Sequence, residues 1–194
     1  MVTNIQKLLR DKKYKIFKDF SHPYNLNIIG VRNVLTKVDK FDDKLVVFWK
    51  EKAKHWEYRE WPITTRPGAH WLLFPLNPNG TAIMVPGQYL GAYSIGKYRG
   101  KDVLRQVEPV KVYRDKNGDS EFNQDSATIE EGVFGLHIHR AGAISNIVGL
   151  HSAGCQVFQK QADFEDFMTL CASGAESWGN KFSYTLLELK DELL

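Results

Sequence analysis

Apolar and polar positions follow two different periods along this chain. Between residues 3 and 13, Ile5, Leu8 and Leu9 fall at i, i+3 and i+4. That spacing predicts one face of a short amphipathic helix, with Thr3 or Asn4 placed to cap it. From residue 26 the texture changes. Residues 26–35 (LNIIGVRNVL), 44–51 (KLVVFWKE), 55–61 (HWEYREW), 80–85 (GTAIMV), 88–96 (QYLGAYSIG) and 109–115 (PVKVYRD) are dense in Val, Ile, Tyr, Phe and Trp, with Gly, Pro, Asn and Asp between them. They predict strands of a mainly antiparallel β domain, because branched and aromatic side chains suit a pleated surface and the intervening residues suit turns. Residues 51–61 read as the second arm of a hairpin that starts at Leu45. Pro67, Pro75 and Pro78 lack donors, and Gly68 and Gly80 suit turn positions, so 64–71 and 75–80 are connections. Residues 114–132 predict a long polar loop. Strand texture returns at 132–140, and 181–189 predicts a closing strand. Residues 161–173 predict a helix with Phe164, Phe167, Met168 and Cys171 on one face; Asp163 near its start suits the helix dipole.

The pattern implies a mainly β fold, a β-rich α+β class. With 194 residues and no repeat, residues 1–194 make a single domain, with 1–20 as an N-terminal helical appendage. Apolar residues at 43% and charged residues at 25% exclude a disordered chain. A net charge of +3 is too small to demand nucleic acid as a partner. No apolar run reaches the length of a membrane helix, so membrane insertion is not expected. The first residues lack an apolar core followed by a small-residue cleavage site, so the expectation is synthesis in the cytoplasm without a signal peptide. Lys190-Asp191-Glu192-Leu193 is followed by Leu194 and is therefore no terminal retention signal. Cys155 and Cys171 make no disulfide framework, and Cys171, on the predicted helix face, reads as a buried, inert thiol.

Chemistry gathers between Gly135 and Phe158, which hold three of the six histidines and one of the two cysteines. In a strand, His137 and His139 point to one side and Leu136 and Ile138 to the other. That arrangement predicts a strand with its back in the core and its front in a cleft. Cys155 follows Gly154, where the backbone can approach a ligand closely. A thiol becomes a nucleophile when a base such as histidine takes its proton, and backbone N–H groups near Gly154 and Cys155 suit an oxyanion.

The segment resembles the signature of the L,D-transpeptidase catalytic-domain (YkuD-like) family: a His near the end of one strand, a variable stretch, then Ser-x-Gly-Cys. Here His139 precedes Cys155 by 155 − 139 = 16 positions, and Ser152-Ala153-Gly154-Cys155 supplies the tetrapeptide. The resemblance spans roughly residues 133–170. It implies an antiparallel β sandwich with an N-terminal helix and a helix after the catalytic Cys. It makes Cys155 the nucleophile and His139 the general base. Gly154 and Cys155 become oxyanion donors, and Ser152 positions the loop by giving its backbone carbonyl to the imidazole. Three positions depart from the family pattern. Arg140 stands where it has Gly, Ala153 where it has His or Lys, and Val157 where an Arg holds a substrate carboxylate. Arg140 is then the residue to replace that clamp.

The implied activity is acyl transfer on the stem peptide of peptidoglycan by a monomer without cofactor. A hydrolase of phage endolysin type, acting on the host wall after release, is favoured. A cross-linking L,D-transpeptidase is one alternative; a wall-binding or virion domain that has lost the chemistry is another. His137 and His151, together with Tyr93 and Lys97 on a flap at 92–100, are candidate substrate contacts, and either histidine is a candidate assistant of His139. Arg66 and His70 are further cleft candidates. The tryptophans at 49, 56, 61 and 71 read as packing before they read as a stacking wall. Residues 115–121 read as an Asn-Gly turn, since Gly118 is misplaced for a calcium loop. His137, His139, His151 and Cys155 form a conceivable zinc set, but a catalytic zinc keeps an open position, and the expected site is metal-free.

Overall fold

The computed structural model describes residues 2–53 and 55–189; the 190–194 tail motif lies outside the described residues. Eleven strands and three α-helices are present among them. The amphipathic segment forms α1 (Val2–Asp11). A long hairpin pairs β2 (Asp43–Lys52) with β3 (His55–Thr64), as the strand texture predicts. Eight strands close into a barrel. In spatial order these are β1 (Asn27–Asn33), β11 (Phe182–Leu189), β5 (Gly87–Tyr98), β6 (Lys101–Gln106), β9 (Ile138–Arg140), β10 (Gln156–Phe158), β3 and β2. A separate three-stranded sheet holds β4 (Thr81–Met84), β7 (Val110–Asp115) and β8 (Glu130–Gly132). The connection at 64–71 carries the short helix α2 (Ala69–Leu73), and α3 (Gln161–Trp178) runs five residues beyond the predicted helix end.

The β-rich class is thus present, and the arrangement differs from two facing open sheets. The larger sheet closes on itself, and two of its pairings, β1 with β11 and β9 with β10, are parallel. Alternation along a strand says which face is buried and is silent about which distant strand pairs with it.

Ile28, Leu45, Val47, Ile63, Leu104, Ile138, Phe158 and Leu186 fill the barrel. α3 closes the end where β1 begins, packing Phe164 and Phe167 on Phe158 and setting Gly174 against Tyr24 and Leu26. The three-stranded sheet packs at the end where β1 finishes: Met84 and Val112 join the barrel core, and Arg32 donates to the Met84 carbonyl at 2.9 Å. α1 lays Ile5 and Leu9 on the outer face of β1, β2 and β11, against Ile29, Val46 and Leu187. Each such side chain contributes about 1.5–3 kcal/mol by leaving water. Cys171 lies fully buried on α3, and its apolar surroundings push its thiol well above the ordinary range, in keeping with an inert role.

Candidate active site

The barrel end beside the three-stranded sheet carries the chemistry. β9 and β10 run parallel, with Val157 opposite His139. Two places back the register sets Cys155 beside His137, and the Gln156 N–H donates to the His137 carbonyl at 3.0 Å. Adjacent strands lie about 4.8 Å apart. Leu136, Ile138 and Phe158 face the core, and the alternation turns His137, His139 and Cys155 the other way. All three line one cavity of about 480 Å³, together with Gly135, Tyr98 and Arg114. The shared face of the two histidines is therefore as the sequence implies, and the thiol joins it.

The Ser-Ala-Gly-Cys loop is held by its own polar atoms. The Ser152 hydroxyl donates to the Cys155 carbonyl at 2.8 Å and accepts from the Gly154 N–H at 3.2 Å. Gly154 has φ +121°, and a Cβ there would run into the Ala82 carbonyl oxygen. Only glycine meets both conditions without strain. Two expectations are corrected here. The Ser152 carbonyl accepts from the Gly68 N–H at 2.9 Å and does not orient the imidazole. That task falls to the Arg140 carbonyl, 2.9 Å from His139 Nδ1. The Gly154 N–H is already committed to Ser152, whereas the Cys155 N–H has no acceptor among the described residues and is the amide left for an oxyanion.

A carbonyl oxygen only accepts, so His139 carries its proton on Nδ1 and presents a lone pair at Nε2. Burial lowers its pKa below the ordinary 6.5, the Arg140 carbonyl acting in the opposite sense. Burial also pushes the partly exposed Cys155 thiol up to about 11. Its sulfur lies 3.6 Å from the Gly135 carbonyl, and no hydrogen bond joins it to either imidazole in this resting arrangement.

The remaining candidates separate. His137 is buried, with Nδ1 accepting from the Gln106 N–H at 3.2 Å and its ring against Tyr98 at 5.0 Å. Tyr93 is no substrate contact: it is fully buried, and its hydroxyl donates to the Leu136 carbonyl at 3.0 Å. Tyr93 and Tyr98 are five apart on one strand, so they face opposite sides, and Tyr98 is the one at the cavity. Lys97 is exposed at the β5–β6 hairpin and pairs with Asp102 at 3.1 Å. Arg140 and His151 do not line the cavity; Arg140 contributes its carbonyl. Arg66 turns away as well. It donates to the Asn33 carbonyl at 2.8 Å, stacks on Phe122 and borders a different cavity. His70 packs on Trp71 and Phe74. Trp49 and Trp61 lie in the core, Trp56 packs on Phe48, and Trp71 donates to the Leu150 carbonyl. Asn117–Gly118 forms a turn, with φ +72° at the glycine.

The proposed zinc set does not converge. Among the described residues the donor atoms that do come together belong to Glu51, His55 and Glu57 on the β2–β3 hairpin.

Sequence reasoning missed three residues that build the site. Arg114 is buried at the cavity wall, paired with Glu130 at 2.8 Å and lying over Phe134 at 4.7 Å. It follows Val110 and Val112 at the core phase of β7, and a charge at an apolar phase is the signal that marked it. Gln106, 2% exposed, clamps the segment that carries His137. Its Oε1 accepts from the Phe134 and Leu136 N–H groups at 3.1 and 2.9 Å, and its Nε2 donates to the Gly132 carbonyl at 3.0 Å. Gln156 sits behind Cys155, accepting from the Tyr184 hydroxyl at 2.9 Å.

No family model matches the chain, and neither a curated protein nor a solved structure does.

Proposed function

We propose that the chain is a cysteine-dependent hydrolase of peptidoglycan stem peptides that works through a thioester acyl-enzyme, in the manner of an endolysin. The observation that carries the reading is the single cavity lined by Cys155, His137 and His139, with the His139 proton held on Nδ1 by Arg140. The Ser152–Cys155 tetrapeptide, sixteen residues after His139, supplies the resemblance to L,D-transpeptidases. On this reading the sandwich implied by that resemblance corresponds to the barrel wall and the three-stranded sheet on either side of the cavity. A cavity of about 480 Å³ accommodates a short peptide segment.

In the first step His139 Nε2 takes the thiol proton and Cys155 Sγ bonds to an amide carbonyl carbon. The carbonyl π pair moves to oxygen, which accepts from the Cys155 N–H. The C–N bond then breaks, the amine leaves with the proton from His139, and a thioester remains. Water attacks the thioester with His139 again as base, and the thiolate leaves and takes the proton back.

Isolated sacculi incubated with the protein test this. Expected are new muropeptides by mass spectrometry, and their loss in Cys155→Ala and His139→Ala variants that remain folded. Products bearing a new free carboxylate identify hydrolysis; products carrying a second amine identify transfer. A second reading is a wall-binding domain without chemistry. It is favoured by Val157, which is fully buried where the family has an Arg that helps hold a substrate carboxylate. It predicts co-sedimentation with sacculi that both substitutions leave unchanged and no released fragment.

A further inference from the structure

The two imidazoles of the cavity are held in opposite tautomers. The groups that fix them can each hydrogen-bond in only one sense. His139 Nδ1 faces the Arg140 carbonyl, an acceptor, so the ring proton is on Nδ1. His137 Nδ1 faces the Gln106 backbone N–H, a donor, so its lone pair is taken and the ring proton is on Nε2. One ring offers the cavity a lone pair and the other an N–H.

His137 and the proposed nucleophile line the same cavity, and Gly135 lies close to both. Parallel register makes His137 the lateral neighbour of Cys155. A Cβ built on Gly135 would lie 3.8 Å from His137 Nε2, and the carbonyl of Gly135 is the group 3.6 Å from the Cys155 sulfur. Tyr98 covers one face of the ring, and Gln106 fixes both the ring and the backbone around it. The loop supplies little else. Gly154, the expected second amide donor, is committed to Ser152.

We infer that His137 is a catalytic residue of its own, a neutral imidazole whose Nε2–H donates to the oxyanion formed when Cys155 attacks a carbonyl. The inference rests on the cysteine-nucleophile reading. No proton moves from His137: its hydrogen bond shortens as negative charge gathers on oxygen and relaxes when the carbonyl re-forms. The ring stays uncharged during turnover because burial lowers its pKa to about 4, with His139 and Arg105 acting in the same sense. A neutral imidazole used as an electrophile in a desolvated site is an established catalytic device.

Acylation passes through an oxyanion and alkylation at a saturated carbon does not, so comparing the two isolates the role. The acylating probe is p-nitrophenyl acetate, read by intact mass as acetyl on Cys155. The alkylating probe is iodoacetamide at pH 9. His137→Ala is expected to acetylate about 10²–10³-fold more slowly, the cost of one oxyanion donor, while its alkylation stays within about twofold of wild type. His137→Gln, which keeps an N–H donor, is expected to recover at least about tenfold of the loss. Two-bond ¹H–¹⁵N correlation spectra are expected to show the Nε2–H form for His137 and the Nδ1–H form for His139. Equal acetylation of wild type and His137→Ala overturns the inference and leaves Cys155 standing as nucleophile. Parallel losses of acetylation and alkylation also overturn it, as does an Nδ1–H form for His137. Wild-type protein with no acetyl on Cys155 overturns the nucleophile reading and the role of His137 with it.

Discussion

Burial bears on Cys155 and His139 in opposite directions of pKa and to one end. An apolar surround disfavours thiolate and imidazolium alike, so the thiol is pushed up to about 11 and the imidazole falls below 6.5. The resting pair is a thiol and a neutral ring. At pH 7 only about 10⁻⁴ of the thiol is ionised. The rate of iodoacetamide modification at Cys155 should therefore climb about tenfold per pH unit from 7 to 10, without the plateau above 8.5 that an ordinary thiol shows. A plateau near pH 7 would mean a preformed thiolate–imidazolium pair. The proposed mechanism needs His139 neutral, and a base is neutral above its pKa. With that pKa lowered, the acid limb of kcat/KM on muropeptides should lie below pH 6.5, displaced downward from free imidazole. At this scale the proposed nucleophile and base were legible as candidates because each is chemically conspicuous, and the structure sets both at one cavity. Gln106 and Arg114 were not, since their importance lies in partners 16 to 34 residues distant.

Strands announced themselves where one face was apolar for six residues or more. β6 did not: charged and polar residues flank Val103 and Leu104, whose neighbouring positions break the alternation. β10 is three residues long and buried throughout, so it carries no period at all. Both escaped, and both matter, because β6 supplies Gln106 and β10 begins at the residue after Cys155. The 132–137 segment in turn has strand texture and forms regular strand only at its start, in β8. Gln106 takes the place of a ladder partner for Phe134 and Leu136. Gln106→Ala strands the buried Leu136 N–H, the part-buried Phe134 N–H and the part-buried Gly132 and Glu108 carbonyls; a buried group is worth about 1–3 kcal/mol when left unpaired, and water restores a part at the others. A loss of about 2–4 kcal/mol in urea unfolding is expected. So is a fall in acyl transfer larger than that of a surface variant such as Lys97→Ala, because the segment that aims His137 is released. Unchanged unfolding would show that the clamp carries no weight.

Closure of the barrel was beyond reach from the sequence, for it depends on β1 meeting β11 across most of the chain's length. What locks that closure to the cavity is Arg32. It is fully buried at the barrel end and donates to Thr65 Oγ1, the Thr65 carbonyl, the Met84 carbonyl and Glu188 at 2.8 to 3.2 Å. Asp43 completes the knot, accepting from the Asn33 and Thr65 N–H groups at 2.8 and 2.7 Å. Two barrel strands, β1 and β11, the loop after β3 and the second sheet thus share one guanidinium, and Asp43 ties β2 to the same loop. The second sheet in turn supplies Thr81, Ala82 and Arg114 to the cavity wall. Arg32→Met keeps volume and removes every donor, leaving Glu188 without its ion-pair partner and the buried Thr65 and Met84 carbonyls without the guanidinium. A cost of about 2–4 kcal/mol is expected, since each buried carbonyl left unpaired is worth about 1–3 kcal/mol. Leu9→Ala, on the far outer face under α1, should cost a comparable 2–5 kcal/mol or so through its cavity. The two variants separate stability from function. Under conditions where both remain folded, Leu9→Ala should keep wild-type acylation of Cys155. Arg32→Met should lose it and should speed amide hydrogen exchange in β4 and β7, because the second sheet is no longer fastened to the barrel. Equal acylation in the two would mean that the cavity is shaped within the barrel wall alone, with the second sheet a bystander.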